Sequence, residues 1–246
     1  MPFSDLFLGA LLAFFATAAG AALVLPIKDA RGRLFALLSA FSGGVMAFSS
    51  FEMLMQSHAA AGDAVALAGL ALGLCIFFML ERLLPHAHAF MRRAPMEKEK
   101  KKAALLAGTI TLHNIPEGFA IASAFAASPQ LGWLVAGTIA IQDFPEGLIV
   151  SAPLVAYGMG AKHSFFWGVF SGFVEFLAAI VGFLFLSQVA AAAPFALGFS
   201  AGAMIFVTFS ELLPDSLRAC GKARALAAFA LGLLVAYGLA AILAGW

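Results

Sequence analysis

Two stretches of the chain carry one polar insert: His113-Asn114-Ile115-Pro116-Glu117-Gly118 and Gln142-Asp143-Phe144-Pro145-Glu146-Gly147. Each sits in the middle of an apolar run of about 20 residues, the length that crosses a bilayer. A carboxylate at that depth costs roughly 2.5–3.5 kcal/mol on insertion scales. A bound cation would offset that cost directly. In both inserts a proline follows the polar pair. Its missing N–H frees the carbonyl one turn earlier, at Leu112 and at Ile141. Each run therefore offers a carboxylate, polar neighbours and a loosened backbone at one level of the membrane.

Helical spacing groups these side chains. His113 and Asn114 lie four and three residues before Glu117, and Gln142 and Asp143 stand likewise before Glu146, so each set shares a face. Consecutive runs are antiparallel, so the second insert is the first turned upside down, as a two-fold axis in the membrane plane would place it. Glu175, near the middle of the sixth run, adds a carboxylate. Glu117, Asp143, Glu146 and Glu175 bring four negative charges, and the interior supplies one histidine and no Lys or Arg. These groups cannot neutralise one another, whereas two divalent cations would. One imidazole with carboxylates and amides suits Zn²⁺, and equally Fe²⁺, Mn²⁺, Co²⁺ or Cd²⁺. The lack of thiolates argues against Cu⁺, and Ca²⁺ or Mg²⁺ would not need His113. A proton relay and a structural hydrogen-bond network stay open as other uses of the same residues.

The elements that position this set are membrane helices. Of the 246 residues 63% are hydrophobic and 11% charged, with mean hydropathy +1.00. A soluble domain carries about 25% charge. The reading is an all-α integral membrane protein, one transmembrane domain over 1–246, with the lipid bilayer as its surroundings and no surface for nucleic acid. Eight apolar runs are long enough to span: 4–26, 34–57, 63–84, 104–127, 131–158, 164–188, 193–213 and 224–246. All 14 Lys and Arg fall in or beside the first, third, fifth and seventh connections. By the positive-inside rule those connections are cytoplasmic and both termini lie outside, periplasmic for a bacterial inner membrane. The first run is expected to span rather than to be a cleaved leader, because no basic residue precedes it and Asp5 stands at its start. Residues 85–103 are expected to form a cytoplasmic loop, and its His86 and His88 could bind a transition metal weakly. Cys75 and Cys220 are expected to be free thiols.

Two weaker signals mark the ends of the bundle. Ser50-Phe51-Glu52 in the second run resembles Ser210-Glu211 in the seventh. The topology puts Glu52 near the outer end, with His58 and Asp63 beside it, and Glu211 near the inner end. Glu52 would collect a cation and Glu211 would pass it on.

The HNIPEG insert, the PEG of the next run, the eight-run layout and the basic, histidine-bearing third connection resemble the ZIP (Zrt/Irt-like protein) divalent metal transporters, prokaryotic branch. The resemblance covers essentially the whole chain. It implies a 3+2+3 arrangement of eight helices with inverted pseudo-two-fold symmetry, and uptake of divalent metal into the cytoplasm. It also implies a binuclear mid-membrane site. His113, Glu117, Gln142 and Glu146 would hold one metal. Asn114, Glu117, Asp143, Glu146 and Glu175 would hold the second, with Glu117 and Glu146 bridging. Movement of helices one, four, five and six against two, three, seven and eight is the implied mechanism. The fifth run reads Gln142-Asp143 where many members have a histidine and an acid, which leaves one site histidine. A homodimer is among the assemblies open to such a chain.

Two other classes compete. An intramembrane zinc enzyme would want about three protein ligands, often histidines, and an open water position. The acid surplus fits that poorly, and no HExxH is present. A cation or proton channel would need a continuous polar lining, whereas polarity here is concentrated at one level.

Overall fold

The computed structural model describes residues 3–26, 33–91, 98–156 and 158–244. They form helices, with no strand among them. In hydrocarbon every backbone N–H and C=O must be satisfied within its own segment, and an apolar helix does this. Six helical stretches among the described residues are long and apolar enough to cross a membrane: Phe3–Ala22, Arg33–Arg82, Pro129–Ala156, Ala161–Gln188, Ala190–Cys220 and Lys222–Leu243.

The second of these is too long for one crossing. At 1.5 Å per residue its 50 residues would reach about 75 Å, against a hydrocarbon core of about 30 Å. It belongs to the helix Arg33–Met91, which is interrupted at Gly62 (φ 80, ψ 175). We label its arms α2 (33–61) and α3 (63–91), after α1 (Phe3–Ala22). The other helices are α4 (Lys98–Ala127), α5 (Pro129–Ala156), α6 (Ala161–Gln188), α7 (Ala193–Val207, continued by a π-helical turn Thr208–Leu212 and by Leu213–Cys220) and α8 (Lys222–Ala244). The chain reverses at Gly62. Along α2, Ser57 meets Pro194 and Gly43 meets Leu212, so α2 runs against α7. Along α3, Gly69 meets Phe195 and Gly73 meets Phe199, so α3 runs with it. The conformation at Gly62 is one that essentially only glycine adopts. Replacing it with alanine is expected to lower the apparent melting temperature in detergent by several degrees, since such strain costs about 1–3 kcal/mol. Nothing lies within 4 Å of a Cβ added there, so the loss would be purely of backbone origin.

Helix ends differ from the apolar runs where charge begins. α3 continues past the run 63–84 to Met91, and α4 starts at Lys98, before the run 104–127. Much of the span expected as a loop at 85–103 is thus helical. Lys, Glu and Ala are good helix formers, so a helix need not stop where its apolar face does. Residues 92–97 and the side chains of His86 and His88 lie outside the described residues. Cys75 and Cys220 are free, as expected.

Close backbone approach groups the helices into two sets. A Cβ on Gly20 would lie 1.8 Å from the Phe144 carbonyl oxygen, and one on Gly118 2.1 Å from that of Glu175. Those contacts join α1 to α5 and α4 to α6. A Cβ on Gly44 would lie 2.0 Å from the Phe229 oxygen, and one on Gly202 2.2 Å from that of Leu70, joining α2 to α8 and α7 to α3. The sets are tied internally as well: Gly9 abuts Phe125, Gly172 abuts Thr17, and Ser57 Oγ donates to the Pro194 carbonyl (2.6 Å). No described glycine makes an approach below 3.0 Å between {α1, α4, α5, α6} and {α2, α3, α7, α8}. Across that seam Gly137 faces only the flexible tip of Leu239. An apolar crevice of about 450 Å³ lies along it, walled by Phe77 and Phe199 on one side and by Pro116 and Gly182 on the other.

Candidate metal centre

α4 and α5 stay helical through Pro116 and Pro145. The glycines after the two glutamates set the depth of packing. Gly118 lets the α6 backbone close on α4 at Glu175, bringing that carboxylate to the site, and Gly147 lets α1 close on α5 at Thr17. Glu117, Asp143 and Glu146 each present a carboxylate oxygen within 4.8 Å of the other two. Their exposures are 0%, 1% and 7%. Glu175, also buried, interacts electrostatically with Asp143 and Glu117. Gln142 Nε2 donates to Glu117 Oε1 at 2.5 Å, which ties the two helices together.

The chemistry of this set is one-sided. Eight buried oxygen atoms have no hydrogen-bond partner: Asn114 Oδ1, Glu117 Oε2, Gln142 Oε1, both oxygens of Asp143, Glu146 Oε1 and both of Glu175. All are acceptors. A buried acceptor left unpaired costs about 1–3 kcal/mol. Ionised, these groups cannot satisfy one another, so the site needs protons or a bound cation, and its oxygen atoms fit a hard or borderline divalent cation.

The other expected residues lie elsewhere. His113 is not in the carboxylate group: its Nε2 is 3.2 Å from Glu211 Oε1, in a small cavity that Glu81 also lines. Glu211 sits in the π-helical turn of α7, a distortion common at functional positions. Glu52 lines a separate cavity of about 370 Å³ with Gln56, Ser128 and Gln130, beside the α4–α5 connection. His58 Nδ1 and Asp63 Oδ1 are 2.8 Å apart, pairing across the Gly62 break at the surface. Sequence reasoning passed over Ser42 and Ser49, seven residues apart on α2. Ser42 Oγ donates to the Gln142 carbonyl (3.2 Å), and Ser49 Oγ bonds Thr138 Oγ1 (2.7 Å). Hydroxyls at helical spacing in an apolar run were the available signal.

Apolar helices closed around uncompensated carboxylates define a membrane protein built to handle cations. Comparison with known proteins narrows the class. The family model described as ZIP zinc transporter matches residues 91–244. A zinc transporter ZupT of Escherichia coli is 36% identical over 214 residues, 83% of each chain. A zinc transporter GufA of Myxococcus xanthus is 35% identical over 195 residues, 78% of this chain and 73% of the relative. A ZupT of Corynebacterium aurimucosum is 31% identical over 224 residues, 84% of each. The chain belongs to the ZIP zinc transporter family.

Proposed function

We propose that the protein carries divalent transition metal, zinc first and iron, manganese, cobalt or cadmium as further substrates, across a bacterial inner membrane into the cytoplasm. The observation that carries this reading is the buried acceptor-only cluster of Glu117, Asp143 and Glu146. Its relatives are named zinc transporters, which supports zinc as substrate and a carrier rather than an enzyme.

In the full reading the chain crosses the membrane eight times, both termini outside, in a 3+2+3 order. The reversal at Gly62 supports two crossings within Arg33–Met91. The glycine contacts support inverted symmetry: exchanging α1 with α6, α2 with α7, α3 with α8 and α4 with α5 turns α1–α5 into α6–α4 and α2–α8 into α7–α3. Two metals are held between Glu117 and Glu146 as bridges, with Asn114, Gln142, Asp143 and Glu175 completing the shell. His113 joins the site when it leaves Glu211. Alternating access is a sliding of {α1, α4, α5, α6} against {α2, α3, α7, α8}. The closest backbone approaches fall within each set, and a crevice lies along part of the boundary, which favours that division.

Uptake into proteoliposomes loaded with a fluorescent chelator tests the function. Saturable, protein-dependent entry of Zn²⁺ is expected, with competition by the other metals ranking the substrates. No uptake of any of them would sink the carrier reading. Glu211, at the inner mouth, is read as the group that passes metal on. Glu211→Gln should lower the maximal rate with little change in the half-saturating concentration, and unchanged uptake would remove that role.

A further inference from the structure

The seam between the two bodies is mostly apolar, yet α2 and α5 are hydrogen-bonded across it. Ser49 Oγ and Thr138 Oγ1 are 2.7 Å apart, and Ser42 Oγ donates to the Gln142 carbonyl at 3.2 Å. All four residues are fully buried. We propose that Ser42, Ser49 and Thr138 form a latch that holds α5, and with it Gln142 and the carboxylates, in the present position, and that the latch must open for the bodies to slide. The proposal rests on the two-body reading above.

Three features support it. First, the bonds have little reach: sliding α5 by one helical turn, about 5.4 Å, separates both pairs. Second, opening leaves the Ser49–Thr138 pair satisfied. Ser49 Oγ also reaches the Val45 carbonyl (3.2 Å), and Thr138 Oγ1 reaches the carbonyls of Leu134 (3.0 Å) and Val135 (2.9 Å). Each hydroxyl therefore has a partner on its own helix when it lets go of the other. Third, Ser42 acts on the residue whose amide holds Glu117, so the latch and the site share α5. These are positioning residues; none belongs to the carboxylate cluster.

The test measures the distance between the bodies in the full chain, reconstituted in liposomes. One spin label goes on Cys75 of α3, which is exposed, and one on a cysteine replacing Phe15 of α1, 61% exposed, with Cys220→Ser. The parent should show the separation of this structure and a minor second population that Zn²⁺ alters. Ser49→Ala and Thr138→Val should each raise the ratio of minor to major population about threefold, as expected for one interhelical hydrogen bond in a membrane. The two together should do no more, since they remove the same bond, and Ser42→Ala should add to either. A lowered melting temperature with an unchanged population ratio in all three variants would mean that the hydroxyls merely pack, and overturns the latch. If the parent responds to Zn²⁺ while the variants match it, the latch alone is wrong. If parent and variants show one distance with and without Zn²⁺, the two-body reading falls with it.

Discussion

Replacing Glu117 and Glu146 together by alanine is expected to abolish saturable Zn²⁺ uptake, leaving the leak of protein-free liposomes. The two side chains come from different helices and meet Asp143 in one cluster, so their removal takes away half of the four buried carboxylates around it. A cation brought from water into the bilayer core would then meet too little charge to offset its lost hydration. Binding should fail as well as transport. In the parent, Zn²⁺ at about 100 times its dissociation constant should stabilise the fold by about 2.7 kcal/mol, read as a rise in melting temperature. The double variant should show no such rise. The variant itself should fold, because it loses one side-chain bond, Gln142 Nε2 to Glu117 Oε1, while shedding the cost of two buried carboxylates. Glu117→Gln with Glu146→Gln, which keeps the volume and removes the charge, separates the electrostatic loss from any cavity. A retained Zn²⁺-dependent shift in either variant would place the metal elsewhere.

Gly44→Val is expected to be the most disruptive single change away from the site. Its Cβ would lie 2.0 Å from the Phe229 carbonyl oxygen and 3.0 Å from the Leu233 backbone nitrogen. No rotamer change relieves a clash between backbones, so α8 must move off α2. Overpacking costs typically about 1–3 kcal/mol when side chains can yield, and more is expected here. The measurable outcome is loss of monodisperse protein after detergent extraction, or a large drop in melting temperature. Gly238→Ala, on α8, is the control. Nothing lies within 4 Å of the added methyl group, so its effect should stay within about 0.5 kcal/mol. A Gly44→Val protein as stable as the parent would show that α2 and α8 do not pack as closely as described.

Much of this protein was legible in its sequence, and the particular residues show why. The inserts at 113–118 and 142–147 stand out because a bilayer penalises charge, so carboxylates in an apolar run carry information that the same residues would lack in water. Their spacing put Asn114 with Glu117 and Asp143 with Glu146, and the structure adds that Glu117, Asp143 and Glu146 converge. His113 was not legible in this way. Helical spacing places it near Glu117, but a partner on α7, Glu211, takes its imidazole. The end of α3 was misplaced because hydropathy reports where the bilayer stops, and the helix continues past it.

The sequence by itself determined the class of molecule, the number of apolar runs, the acids placed inside them and, through the family resemblance, the kind of cargo. It could do so because composition, period and charge act along one segment at a time. Only the tertiary structure decided which helices approach backbone to backbone, where Glu175 and His113 turn, and that Ser42, Ser49 and Thr138 join α2 to α5. Those outcomes depend on how closely two backbones approach. That distance is set by glycines facing the backbone of segments far apart in the chain, such as Gly44 against Phe229 and Gly118 against Glu175.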